Sequence, residues 1–306
     1  MVLGLLAVGC WEAGNREVAF LKLIKILELF FLGYYVAKNN YTLNARRYLL
    51  VGVIYSSLIA IGQFLKQRSL GVIFWWLGER SFTLATPGIA RTEFNGQLFL
   101  RPYATFSHPN ALAGFFLVSL ILTLPVLWRR SKKVALGYLL LAICPLILTF
   151  SRPVWLAGIL VLIFGAVQSI KPKKFLCSFL FLAPESFFRR QELNETAVQL
   201  IKSQPLFGVG LGSFLIRSSF SDFIQPVHNI YLLLASETGG IVFIVTVIFI
   251  IRTIKMAWAN WSLLAGLGVI LFTGLFDHYW LTLQQNQLLL ALVLGWCWQK
   301  KTGLQV

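Results

Sequence analysis

Residues 111–133 read ALAGFFLVSLILTLPVLWRRSKK, and residues 134–150 follow as VALGYLLLAICPLILTF. Two long apolar runs thus flank Arg129, Arg130, Lys132 and Lys133. An α-helix satisfies its own backbone polar groups, and about 20 mostly apolar residues carry it across a bilayer's hydrocarbon core. The pair reads as two membrane-crossing helices, 111–127 and 134–150, joined by a short basic turn.

The same reading extends outward. Further apolar runs cover 18–36, 48–64, 154–170, 175–184, 230–251, 261–276 and 283–298. The run 175–184 is too short to span alone. The expected fold class is all-α: a polytopic integral membrane protein of about 8–10 transmembrane helices in one membrane domain over 1–306. Composition agrees. The 306 residues are 58% apolar and 12% charged, with a mean hydropathy of +0.75. Soluble domains run near 45–50% apolar and about 25% charged. A cytosolic globule, a disordered chain and a secreted disulfide scaffold are excluded. The cysteines Cys10, Cys144, Cys177 and Cys297 are scattered, without the spacing of a disulfide framework or a structural zinc site.

The net charge of +16 would suggest nucleic acid on a soluble protein. Here it sorts by side. Alternate connections hold Lys38, Arg46, Arg47, Arg129, Arg130, Lys132, Lys133, Lys171, Lys173, Lys174, Arg252, Lys255, Lys300 and Lys301, with no acidic residue. That side is expected to be cytoplasmic by the positive-inside rule, and nucleic acid is not expected as a partner. The opposite, outer face carries two long loops, 65–110 and 185–229, plus turns at 151–153 and 277–282. Long loops in a compact chain are more often functional than filler. Met1–Trp11 is too short to span, so either the chain begins outside or further helices precede it. The first full span carries Lys22, Lys25 and Glu28. These face the bundle interior, or Lys25 pairs with Glu28 and the rest snorkel.

All three histidines, His108, His228 and His278, fall on the outer face at the membrane ends of spans. His108 stands before Pro109 and Asn110, Ser151 and Arg152 before Pro153, and His228 before Asn229. A polar residue followed by proline marks a helix start. Three helix N-termini therefore open toward one face. A helix N-terminus attracts anions, and Arg101 and Arg152 would complete a phosphate or diphosphate cradle. The same positive ends keep a histidine neutral, as a general base must be. Asp277 is either a helix cap, or a carboxylate that pairs with an arginine or orients a histidine. Residues 189–203 place Leu193, Ala197, Leu200 and Ile201 on one helical face, an amphipathic helix lying on the bundle or membrane surface. Gly208, Gly210 and Gly212 form a turn rather than a dinucleotide loop, for no strand precedes them. Trp75 and Trp76 read as interfacial anchors.

Four segments together resemble the O-antigen ligase and O-antigen polymerase family. They are Arg101 to Gly114 (RPYATFSHPNALAG), Leu148 to Arg152 (LTFSR), Pro205 to Gly210 (PLFGVG) and His228 to Leu232 (HNIYL), with Glu237-Thr238-Gly239-Gly240 behind the last. Asp277-His278-Tyr279 also looks like members of one bacterial branch. The resemblance implies a glycosyltransferase C-type architecture in the bacterial inner membrane, with its active site on the periplasmic face. It implies metal-independent transfer of a glycan from an undecaprenyl diphosphate carrier to a sugar or lipid hydroxyl, without a cofactor, in polysaccharide or lipopolysaccharide biosynthesis. Carried over, Arg101 and Arg152 hold the diphosphate and His228 deprotonates the acceptor. His108, Asn110, Asn229, Ser151, Asp277 and His278 bind substrate. The chain departs from the family in Ala104, where glycine is common, in Pro153, and in having fewer helices before the first long loop. Two other readings remain open: a transporter or exporter component using Lys22, Lys25, Glu28 and Glu237, and an inactive relative serving as a partner subunit.

Overall fold

The computed structural model describes residues 2–11, 13–39, 42–167, 184–217 and 225–299. The run 175–184 and the basic residues Lys171, Lys173, Lys174, Lys300 and Lys301 lie outside the described residues. In chain order come α1 (Val2–Trp11), α2 (Arg16–Lys38), α3 (Thr42–Lys66), α4 (Ile73–Trp76), β1 (Arg91–Phe94) and β2 (Gln97–Leu100). Then follow α5 (Pro109–Arg130), α6 (Lys132–Leu148), α7 (Arg152–Val167), α8 (Pro184–Ser203) and α9 (Phe214–Arg217). The last are α10 (Ile230–Ala257), α11 (Trp261–Thr273), α12 (Tyr279–Thr282) and α13 (Gln284–Cys297). Helix makes up 72%. The helical stretches Asn44–Lys66, Pro109–Arg130 and Ile230–Ala257 are long and apolar enough to cross a membrane, with Arg152–Gly165 and Trp261–Thr273 as shorter apolar helices. The chain is an all-α polytopic membrane protein.

α5 is the centre of the bundle. It packs on α3, α6, α7, α11 and α13, and 67% of its apolar window is buried against 28% for α10. The peripheral helices turn Phe30 and Phe31 of α2, Leu140 of α6, Leu162 of α7 and Ile244 of α10 outward. In lipid that costs nothing, because hydrocarbon is as apolar as a leucine side chain. The charges in the middle of α2 are paired: Lys25 with Glu28 at 2.9 Å, and Lys22 with Glu237 of α10 at 3.4 Å.

The loop between α3 and α5 is built, not loose. Arg91–Phe94 and Gln97–Leu100 form an antiparallel hairpin with Phe94 opposite Gln97. Its two-residue turn, Asn95-Gly96, has φ of +51° and +74°. Paired positive φ values match the right-handed twist of the strands. This hairpin is an addition to the all-α expectation. Beneath the loop, Gln63 Oε1 accepts the backbone N–H groups of Tyr103 (2.9 Å) and Ala104 (2.8 Å), while its Nε2 donates to Glu79 (2.8 Å) and to the Ala104 carbonyl (3.0 Å). Glu79 in turn accepts from Leu70 and Gly71. Both side chains are buried. Ala104 has φ of +48°, the left-handed region that favours glycine. Replacing Gln63 with Leu strips the partners from several buried groups at once. We expect a loss of about 2–4 kcal/mol, read as a lower thermal unfolding midpoint in detergent; an unchanged midpoint would refute the network's role.

Between α7 and α10, the amphipathic helix appears as α8. Leu193, Ala197 and Leu200 are buried against Val209, Phe214, Val227 and Leu233. Gly208, Gly210 and Gly212 all have positive φ, as a turn requires. That turn enters α10. Gly239 (φ +73°, ψ +174°) breaks the helix, and the turn's backbone fills the gap. Val209 N–H donates to the Ser236 carbonyl (2.9 Å), Gly210 N–H to the Glu237 carbonyl (3.1 Å), and Gly240 N–H to the Pro205 carbonyl (2.8 Å).

Candidate active site

The helix tips on the face of the long loops are tied together. His108 caps α5 through its Nδ1, which accepts the Asn110 N–H at 3.1 Å, with Pro109 at the first helical position. Asn229 caps α10, its side-chain oxygen accepting from Tyr231 and Leu232. Trp155 N–H donates to the Ser151 carbonyl at the start of α7. The Ile230 N–H donates to the Gly274 carbonyl (2.8 Å), tying the α10 tip to the turn after α11. Gln285 and Asn286 of α13 donate to the carbonyls of Thr105 and Ala111. Gly114 leaves room for the ring of Tyr279, whose atoms lie 2.6–2.9 Å from where a Cβ would sit. Any side chain there would push the 277–279 turn away from α5.

One polar chain runs through this junction. Arg101 donates from Nε to the Thr149 carbonyl (2.6 Å) and from Nη2 to Asn110 Oδ1 (2.7 Å). Asn110 Nδ2 donates to Asp277 Oδ2 (2.8 Å), and the His278 N–H donates to Asp277 Oδ1 (2.8 Å). His228 Nδ1 faces Asp277 Oδ1 at 3.5 Å. The rings of His228 and His278 lie 5.2 Å apart, centre to centre. Asp277 is therefore a hub between arginine and histidine. The cap reading does not hold: α12 is preceded by His278 without a side-chain cap.

Electrostatics follow from burial. Burial lowers the Arg101 pKa to about 10, with the Arg152 cation adding to it against Tyr103 and Asp277, so the guanidinium stays charged at neutral pH. Arg152 is exposed at the tip of α7, close enough to Arg101 for the two cations to oppose each other. Burial drives His108 to about 4, which keeps it neutral. Burial also lowers His278, assisted by the His228 and Lys22 charges and opposed by Asp277. For Asp277, burial opposes the charge, but the His228 contact and the surrounding imidazoles outweigh it and hold the carboxyl below the usual range.

The expected residues thus come together: Arg101, Asn110, Asp277, His228 and His278 in one chain of contacts, with Arg152 beside Arg101. His108 and Asn229 spend one polar atom each on capping. Ser151 is buried, and its Oγ has no hydrogen-bond partner among the described residues. Three contributors escaped the sequence reading. The Thr149 carbonyl is a backbone group. Thr282, whose Oγ1 lies 2.7 Å from His278 Nδ1, is one helical turn on, a spacing that was there to read. Gln225, 3.4 Å from His228 Nε2, carried no motif.

Among curated proteins, none matches the chain. Residues 98–247 match the O-antigen ligase family. That stretch runs from the strand before Arg101 past the break in α10, and it contains Arg101, Asn110, Arg152 and His228. The family's activity is glycan transfer from a lipid-linked donor to an acceptor. The match covers 150 of the 306 residues, and together with the membrane helices it supports the O-antigen ligase family for this chain.

Proposed function

We propose that this chain is a membrane glycosyltransferase that moves a glycan from an undecaprenyl diphosphate carrier to an acceptor hydroxyl on the periplasmic face of a bacterial inner membrane. The observation that carries the proposal is the Arg101–Asn110–Asp277–His228 chain, which sets a fixed cation and an oriented imidazole at one junction. The Asp277 carboxylate, 3.5 Å from His228 Nδ1 and beyond hydrogen-bond length, favours hydrogen on that nitrogen through its charge, leaving the Nε2 lone pair to take the acceptor's proton. The acceptor oxygen attacks the anomeric carbon with inversion. The bond to the diphosphate oxygen breaks, and the electron pair leaves with the diphosphate. Two of the five N–H donors of Arg101 are used by Thr149 and Asn110, so the rest are available to phosphate oxygens. Arg152 adds a second guanidinium. Asn110, His108 and His278 border the substrate. No step requires a metal.

The break in α10 is the one feature that would favour a transporter, since broken helices line transport sites. Its freed backbone groups are taken by residues 205–210, and Glu237 by Lys22. The transport reading therefore loses its pathway.

The test is transfer by the purified chain in lipid vesicles supplied with an undecaprenyl diphosphate-linked oligosaccharide and an acceptor glycan. Product by mass spectrometry supports the proposal, and no product refutes it. In the same assay Arg101→Lys and Arg152→Lys should each lower transfer by about 10²-fold, because an ammonium cannot form the two-point contact. Equal activity of lysine and arginine would overturn the clamp.

A further inference from the structure

We propose that His228, Asp277 and His278 form a binding site for a zinc-class divalent cation, and that its occupancy blocks glycan transfer. The site stands on geometry alone; the block rests on the function proposed above. The ligand atoms of the three residues lie within 4.8 Å of one another. They come from two parts of the chain, the α10 tip and the turn before α12. The separation of His228 Nδ1 and Asp277 Oδ1, 3.5 Å, is longer than an N–H···O bond of about 2.7–3.2 Å. It matches two ligands on one tetrahedral ion, which sit roughly 3.3–3.5 Å apart when each bond is about 2.0–2.2 Å. His228 Nδ1 is buried and makes no hydrogen bond among the described residues.

His278 is set up the same way. The Thr282 hydroxyl donates its single hydrogen to the His278 carbonyl (3.1 Å), so its Oγ1 accepts from His278 Nδ1–H at 2.7 Å. The lone pair of His278 then resides on Nε2, a neutral imidazole ligand. Each of the three residues has an outer partner: Gln225 for His228, Thr282 for His278, and Asn110 for Asp277. Metal-bound histidines and carboxylates are held in this way, with the far atom hydrogen-bonded. Two imidazoles and one carboxylate suit zinc and its neighbours rather than magnesium or calcium, and three protein ligands leave a coordination position open.

The two uses of His228 exclude each other. As a base it keeps hydrogen on Nδ1 and its lone pair on Nε2. As a ligand it gives the Nδ1 lone pair to the ion, and the hydrogen moves to Nε2, where Gln225 Oε1 accepts it. A bound ion therefore removes the base.

The probe is Co²⁺, titrated into the full chain in detergent after treatment with chelator. We expect one Co²⁺ per chain with a tetrahedral visible absorption band, displaced by Zn²⁺. His278→Ala and Asp277→Asn should abolish the band while the helical circular dichroism persists. Thr282→Val should weaken binding by about 10–100-fold, and Cys144→Ser, which removes an exposed thiol, should leave it unchanged. Absence of the band, or its survival in both ligand variants, overturns the site. In the vesicle assay, Zn²⁺ should stop transfer and chelator should restore it. Full transfer by the Zn²⁺-loaded chain overturns the block alone. A chain that binds Co²⁺ but never transfers glycan refutes the proposed function and the block together, and leaves the site standing.

Discussion

His228→Ala is expected to lower glycan transfer by about 10²–10⁴-fold, the range that a positioned general base contributes, while the protein still inserts and folds. The ring is partly exposed, and its polar contacts are Asp277 at 3.5 Å and Gln225 at 3.4 Å. Removing it leaves Asp277 its bonds from Asn110 and the His278 N–H. The effect should therefore appear in turnover and not in the thermal midpoint. Asp277→Asn sharpens the result. It keeps the shape but removes the charge that favours hydrogen on His228 Nδ1, so His228 loses its preferred tautomer. We expect that variant to fall nearly as far as His228→Ala, and the double variant to fall little further, because the two act as a unit. Near-normal transfer by His228→Ala would sink the base assignment.

Gly239→Ala should cost stability heavily for a single added methyl. The backbone at φ +73°, ψ +174° is open essentially to glycine alone. A Cβ there would stand 2.2 Å from the Leu206 carbonyl oxygen and 2.6 Å from the Gly208 nitrogen. Neither neighbour is a side chain that can swing aside. Strain and overlap together place the variant among severe substitutions, above about 4 kcal/mol. In detergent this should lower the unfolding midpoint by roughly 10 °C. A midpoint within a degree or two of wild type would mean that the turn does not enter α10 as described.

The helices were largely legible because hydrophobic runs and caps are local. The runs 18–36 and 111–127 fall inside α2 and α5, the run 134–150 overruns the end of α6 at Leu148 by two residues, and the face of Leu193, Ala197 and Leu200 was readable from helical spacing alone. The site was legible as a set of residue types, arginines and histidines at helix starts, supported by the family resemblance. What could not be read was who touches whom. Asp277 lies 167 residues from Asn110, so nothing local separates a hub from a cap. Gln63 binds Glu79 and the backbone of Tyr103 and Ala104, 16 to 41 residues away, which no local pattern announces. The run 230–251 concealed its own interruption, since hydropathy is blind to a backbone angle at Gly239. The Asn95-Gly96 hairpin is a different case. Its turn dipeptide is a local hairpin signal, legible without the structure.

The inserted turn also fixes an order of events during biogenesis. Before residues 205–210 arrive, an open break at Gly239 would expose N–H and carbonyl groups to hydrocarbon, each costing several kcal/mol. A newly inserted α10 is therefore expected to be continuous, and to bend only when residues 205–210 dock. Docking of that segment and maturation of α10 are then one coupled step. A chain whose 205–210 segment failed to dock would keep a straight α10, and the tips that bear His228 and Asp277 would fail to assemble.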